Sequence, residues 1–231
     1  MKTVGLIGGM SWESTAAYYR LINQGIRQRC GGLHSAKMLL YSVDFSEIEE
    51  LQSSGRWHEA GVMLAEAAIR LEQGGAELLL ICTNTMHKVA DQVTAAISIP
   101  LIHIAEATGE RIVGDGIEAV GLLGTRFTME ENFYRRVLED SYGLQVEIPS
   151  EEDRRLVDRV IFNELCQGVI AEGSKQEYLR IADTLVAQGC GAIILGCTEI
   201  ALLLNPQDIN LQVYDTTEIH AQQAVVMMLE Q

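Results

Sequence analysis

The run Val4-Gly5-Leu6-Ile7-Gly8-Gly9 returns as Val120-Gly121-Leu122-Leu123-Gly124-Thr125, 116 positions later (120 − 4). Each copy is a short apolar stretch closed by small residues and followed by a helical pattern, which is the signature of a strand turning into a helix. A second pair of runs shows the same duplication. Leu78-Leu79-Leu80-Ile81 leads into Cys82-Thr83-Asn84-Thr85-Met86-His87, and Ala192-Ile193-Ile194-Leu195 leads into Gly196-Cys197-Thr198-Glu199. Thr83 and Cys197 stand 114 positions apart (197 − 83). Two matches at nearly one interval predict two similar halves. The runs are apolar throughout rather than alternating, as expected of parallel strands covered on both faces.

Between these anchors strand and helix patterns alternate. Tyr18, Leu21, Ile22 and Ile26 mark an amphipathic helix from about Glu13, with Ser11 or Ser14 as its cap. Met38–Val43 reads as a second strand. Helices are expected near Ser46, from His58 to Gln73, and around Val89 and Val93, and Leu101–Ile104 follows Pro100 as a further apolar run. In the second half, helices are expected from Thr128, from Glu151 to Gly168 and from Gln176 to Gln188, and strands at Val146–Ile148 and Val213–Thr217. A closing helix, Ile219–Leu229, returns to the first half. The expected fold is α/β: two pseudo-symmetric domains, each a parallel sheet wrapped by helices. Residues 1–98 with 215–231 form the first, and residues 99–214 the second.

Charge narrows the partners. With 17 basic and 32 acidic residues the chain carries −15, which disfavours nucleic acid or an anionic membrane as main partner. No apolar run approaches the roughly 20 residues of a bilayer span, and the N-terminus reads as a strand rather than a signal peptide, so a cytoplasmic chain is expected. The five cysteines are odd in number and lack CxxC spacing, so neither a disulfide framework nor a metal site is expected.

Open α/β sheets hold ligands at the carboxyl ends of their strands. Two such ends, each carrying one proton-transfer group, would make a cleft suited to chemistry at a single carbon. A thiol titrates near 8.5, lower beside a helix N-terminus, so Cys197 is expected to supply some thiolate near neutrality. The turns at Thr83-Asn84-Thr85 and Cys197-Thr198 are expected to offer N–H groups to a carboxylate. The repeat leaves the first group open. Aligning Gln73-Gly74 on Gln188-Gly189 pairs Cys82 with Cys197, whereas aligning Gly75 on Gly189 pairs Thr83 with it. On a strand only one of two neighbours faces a given side.

Val-Gly-Leu-Ile-Gly-Gly-Met-Ser, Asn84-Thr85-Met86-His87, Leu-Gly-Cys-Thr-Glu and Asp215-Thr216-Thr217-Glu218-Ile219-His220 together resemble the aspartate/glutamate racemase family over essentially the whole chain. The resemblance implies an interdomain active site, a homodimer, and cofactor-independent racemisation of an amino acid by two cysteines on opposite faces of Cα. Here the first family cysteine falls on Thr83, so an uneven pair, Thr83 and Cys197, is expected, with faster exchange through Cys197 and a preference for the L enantiomer. Family aspartate racemases also place an Arg after the second strand and a Lys before the Cys-Thr-Glu strand. This chain has no early Arg in Asp44-Phe45-Ser46-Glu47, leaving Gln52 as a neutral donor, and the Lys position falls on Cys166. Neutral amino acids thereby become candidate substrates.

Met10, Gln52, Asn84, Thr85, Thr125, Glu164, Thr198 and Glu199 complete the expected substrate-binding set. Glu164, on an apolar stripe, would meet a substrate ammonium or an edge salt bridge. Glu199 would orient Cys197 or cap its helix, His87 would polarise the site or bond a carbonyl, and Asp215, at a strand end, would line the cleft or cap the last helix. Other classes fit less well. The glycines do not form Gly-x-Gly-x-x-Gly and no Gly-Lys-Ser/Thr loop exists, which argues against a nucleotide fold. None of the four lysines sits in a pyridoxal motif. A cysteine-dependent isomerase, decarboxylase or hydrolase, or a non-catalytic amino-acid-binding module, would use the same Cys197 strand.

Overall fold

The computed structural model describes residues 1–230, and its elements follow the duplicated pattern. In chain order they are β1 (Val4–Gly8), α1 (Trp12–Cys30), β2 (Met38–Ser42), α2 (Phe45–Ser53), α3 (Trp57–Gln73), β3 (Leu78–Ile81), α4 (Ala90–Ala95) and α5 (Ile104–Gly114). The second half continues with β4 (Ala119–Gly124), α6 (Arg126–Glu130), α7 (Asn132–Arg136), β5 (Gln145–Glu147), α8 (Glu151–Asn163) and α9 (Glu172–Ala187). β6 (Ala192–Gly196), α10 (Ile200–Leu203), β7 (Gln212–Asp215) and α11 (Thr216–Leu229) complete it. The chain divides into two compact units. One holds Met1–Ile104 together with the residues from His220, and the other holds Ala105–Ile219.

In the first unit the strands run in the order β2-β1-β3, all parallel. Successive side chains on β3 point to opposite faces, so its unbroken apolar run serves two cores. Leu79 and Ile81 join Ile7 against Ile48 and Leu51 of α2 and Ala60, Leu64 and Leu71 of α3. Leu78, Leu80 and Cys82 join Val4 and Leu6 against Tyr18, Ile22 and Ile26 of α1 and Ala221, Ala224, Val225 and Met228 of α11. Ser11 caps α1, accepting the Ser14 N–H at 3.3 Å. Leu101–Ile104 adds only one parallel bridge, Leu79 with Leu101. It stops there because the Ile104 N–H is drawn to His87 Nε2 at 3.2 Å and the chain turns into α5.

The second unit repeats the order as β5-β4-β6, extended by β7, again all parallel. α8 and α9 pack on β4. The helix expected from Thr128 is broken into α6, α7 and a wide turn over Val137–Ser141. α8 ends at Asn163, and Leu165–Gln167 forms a separate tight turn closed by Gly168 in the left-handed region (φ 74°).

Buried histidines tie the first unit together. His220 Nε2 lies 2.8 Å from the Ile102 carbonyl, which can only accept, so the proton sits on Nε2. Its Nδ1 then accepts from the Tyr18 hydroxyl at 2.7 Å. His87 packs edge-on against His103 and His220, at 4.6 and 5.7 Å between ring centres. Burial holds all three neutral, reinforced at His87 by His103 and His220 and at His220 by His103, and opposed at His103 by the Asp91 charge: His87 titrates well below its ordinary 6.5, His103 at about 4 and His220 at about 3. Below pH 6.5 the unfolded chain takes up protons that the folded rings refuse. Stability therefore falls as pH drops, by up to about 1.4 kcal/mol per pH unit for each ring. Denaturant midpoints measured from pH 7 to pH 4 should decline, and His220→Gln should flatten the decline. A midpoint independent of pH over that range would contradict the neutral assignment.

Candidate active site

The strand register decides which residue of the first unit corresponds to Cys197. β1 pairs with β3 from Val4↔Leu78 to Ile7↔Ile81, so Gly8 stands beside Cys82. β4 pairs with β6 from Val120↔Ala192 to Gly124↔Gly196. Gly8 and Gly124 are repeat partners, hence Cys82 matches Gly196 and Thr83 matches Cys197. The approach to each strand agrees. Gly75 and Gly189 both take φ 98°, and each precedes a residue whose N–H reaches back into the helix end, Ala76 to Leu71 and Cys190 to Leu185. The Gly75 alignment is thus the structural one. Cys82 is sealed in the core under α1 and α11, and burial alone drives its thiol far above the ordinary range.

Around Thr83 the main chain is held on both sides. Its N–H donates to the Ile81 carbonyl at 2.9 Å, so it is not offered to a carboxylate as expected; the tight turn after β3 has already engaged it. His87 Nδ1 lies 2.8 Å from the Thr83 carbonyl. Since the Ile104 N–H occupies Nε2, the proton is on Nδ1 and donates to that carbonyl. Of the two readings of His87, carbonyl bonding is the one realised. Asn84 and Thr85 are buried in the short helical turn Thr85–Val89 and its lead-in. The Met10 side chain is buried in the α2–α3 core, and Gln52, also buried, donates its amide to Met86 Sδ at 2.9 Å. The Gly8-Gly9 turn requires its second glycine: φ is 95°, and a Cβ there would strike the Val43 main chain.

The Cys197 turn is built differently. Cys197 is partly buried, and its thiol donates to Glu199 Oε2 at 3.0 Å. Burial first, then the Glu199 carboxylate, raises its titration well above the ordinary thiol value. The expected minority thiolate is therefore corrected: the group rests as a thiol. The four-residue α10 cannot offset the combined effect of desolvation and an adjacent anion. Glu199 orients Cys197, as one of its two expected roles required. The Cys197 carbonyl accepts from the Ile200 N–H at 3.1 Å. Thr198 shares a 2.8 Å hydroxyl contact with Thr217, and Thr216 donates to the Leu195 carbonyl, pinning the first turn of α11 to the end of β6. Asp215 caps α11 as expected, accepting from the Thr217 N–H at 2.9 Å.

Thr125 caps α6, its hydroxyl accepting from the Thr128 N–H at 3.3 Å. Glu164 accepts the Ser174 hydroxyl at 2.6 Å, which satisfies its partly buried carboxylate without the edge salt bridge allowed for it. Cys166 feels the Glu199 charge and is pushed up to about 12, mainly by burial. Tyr178, whose hydroxyl donates to the Val157 carbonyl, lies within electrostatic reach of Cys197, Cys166 and Glu164. It was not anticipated from the sequence, where it reads as one more apolar position on α9. Among the described residues no cluster of His, Cys, Asp and Glu has the arrangement of a metal site, and no helix is long and apolar enough to cross a membrane.

A duplicated parallel α/β chain with a carboxylate-held thiol at one strand end and a hydroxyl at its counterpart has the groups for proton transfer at carbon. The chain belongs to the Asp/Glu/hydantoin racemase family, whose sequence profile it matches over residues 7–224, and so to the isomerases. It is similar to a Yersinia pestis protein provisionally described as an Asp/Glu racemase, with 54% identity, full coverage of both chains and a TM-score of 0.94. An aspartate racemase homologue from Pyrococcus horikoshii OT3 gives 34% identity, full coverage of both and a TM-score of 0.87. The broad specificity amino-acid racemase RacX of Bacillus subtilis is 22% identical over 96% of each chain.

Because the Glu199 charge contributes to the high thiol titration, Glu199→Gln should make Cys197 ionise at lower pH. Alkylation by iodoacetamide, followed by mass spectrometry of the Cys197 peptide across pH, should show the profile moving toward neutrality. An unmoved profile would mean burial alone sets the thiol.

Proposed function

We propose that the chain is a cofactor-independent amino-acid racemase that inverts Cα of aspartate and glutamate through two groups, Cys197 and Thr83. Inversion removes a proton from one face of the carbon and returns one to the other. The Cys197 S–H proton passes to the Glu199 carboxylate, and the resulting thiolate takes the Cα proton from the L enantiomer. The Thr83 hydroxyl delivers a proton to the opposite face and is reprotonated from solvent, while Glu199 releases to solvent the proton it took, which restores both groups. In the reverse direction Thr83 must act as the base, which an alkanol does far less readily than a thiol. The uneven pair therefore favours L substrate.

The observation that carries this reading is the register equivalence of Thr83 and Cys197, with the Cys197–Glu199 contact supplying the proton acceptor. Asn84, Thr85 and Thr125 flank the strand ends and are assigned to substrate positioning, as are Met10 through its main chain and Thr198. By the family resemblance, Cys166 falls at the Lys position of the aspartate racemases, and Gln52 is the neutral donor in place of the missing Arg. That change, together with the broad specificity named for the Bacillus subtilis relative, supports turnover of amino acids beyond the acidic pair. Glu164, bonded to Ser174, is assigned to a substrate ammonium.

Circular dichroism with L- and D-aspartate, glutamate and neutral amino acids, without added cofactor, tests the assignment. Deuterium should enter Cα from D2O for any substrate turned over, and binding without exchange would instead favour a sensor. Cys197→Ser should lose at least 100-fold in kcat, of the order found when an acid–base group is removed. Thr83→Cys should raise kcat from the D enantiomer. Full activity in Cys197→Ser would overturn the mechanism.

A further inference from the structure

We propose that His87 is a positioning residue for Thr83, fixing the hydroxyl of the uneven pair through its main-chain carbonyl. The inference rests on the reading of Thr83 as one of the two proton-transfer groups. His87 is buried, and both ring nitrogens are engaged by main chain: Nδ1 with the Thr83 carbonyl and Nε2 with the Ile104 N–H. With its proton and its lone pair both committed, the ring has neither left for substrate. His103 and His220 pack edge-on against it. His220 is itself anchored to Ile102 and Tyr18. The clamp is therefore built into a packed cluster rather than held by one flexible side chain.

The second unit shows what the clamp replaces. At the repeat position of His87 the chain carries Ala201, and the Cys197 carbonyl is taken by the Ile200 main-chain N–H instead. The Cys197 side chain has its own anchor in Glu199, whereas position 85, the counterpart of Glu199, is a threonine. The Thr83 side of the repeat thus substitutes a side-chain clamp on the main chain for a direct partner on the reacting group. A hydroxyl that must deliver a proton to Cα tolerates little displacement, and a misplacement of about 1 Å can cost on the order of 100-fold in rate.

The test uses the full chain with L- and D-glutamate in D2O. His87→Ala should lower kcat for inversion about 10- to 100-fold while KM stays within about twofold, the pattern of lost transition-state placement. It should also raise the ratio of deuterium incorporated into unreacted L-glutamate to inversion, because Cys197 and Glu199 still remove and exchange the proton on their own face. D-glutamate should lose exchange and inversion together. If His87→Ala fails to fold, His87→Asn and His87→Gln carry the test. The Asn amide nitrogen stands in for Nδ1 and should restore inversion, and Gln, which reaches only toward Nε2, should not. Equal impairment of Asn and Gln, or an unmoved exchange-to-inversion ratio, would overturn the proposal. Full activity of Cys197→Ser would instead sink the two-group reading beneath it, so the two failures are distinguishable.

Discussion

Parallel pairing in register is the constraint on which the rest depends. β1 pairs with β3 from Val4↔Leu78, and β4 with β6 from Val120↔Ala192, so each central pair delivers the same step of the chain to its carboxyl end. Side chains on a strand alternate, and a slip of one residue on β3 would exchange the environments of Cys82 and Thr83. In the register adopted, Cys82 completes the apolar row of Leu78 and Leu80 beneath α1 and α11, where its thiol is desolvated and inert. Thr83 begins the turn. The more reactive atom is thus packed away, and the weaker one stands at the position equivalent to Cys197.

The two turns then solve the same problem with different parts. At Cys197 the side chain itself has a partner, a buried carboxylate that accepts the S–H and, by its charge, helps keep the proton on sulfur. This arrangement holds the thiol in its neutral form with an acceptor 3.0 Å away. At Thr83 the partners address the main chain. A neutral imidazole suits that role, because its Nδ1–H and Nε2 lone pair satisfy one carbonyl and one N–H at once. A charged ring would leave the Ile104 N–H facing a second donor. Burial among other imidazoles keeps it in the neutral form.

Much of this was legible in the chain because apolar runs and glycine turns are local signals. The strands, the repeat interval, the cap at Ser11 and the return of the last helix to the first unit all follow from such patterns. The choice between Cys82 and Thr83 did not, since the interval drifts from 116 to 114 residues between the strand pairs and only pairing registers the drift. Protonation was equally hidden. A cysteine before a helix reads as activated, and its burial against Glu199 is a tertiary fact. Tyr178 could not be told from its apolar neighbours on α9. The short turns after Thr128 and Asn163 escaped because hydrophobic spacing persists through them while the backbone hydrogen bonds change partner.

A duplicated fold holds two strand ends at equivalent points of its sheets, yet nothing in the register requires equal groups there. What the register fixes is where the chain leaves the sheet. What each turn does next depends on a handful of side chains within four residues: Glu199 at one, His87 at the other. Ala201 and Thr85, their repeat counterparts, carry neither a carboxylate nor an imidazole. Each half therefore carries one of the two contacts, the carboxylate at Cys197 and the imidazole at Thr83. The thiol has a hydrogen-bond acceptor whose charge helps keep the proton on sulfur at rest. The hydroxyl residue is held instead through its main chain, by the buried imidazole four residues on.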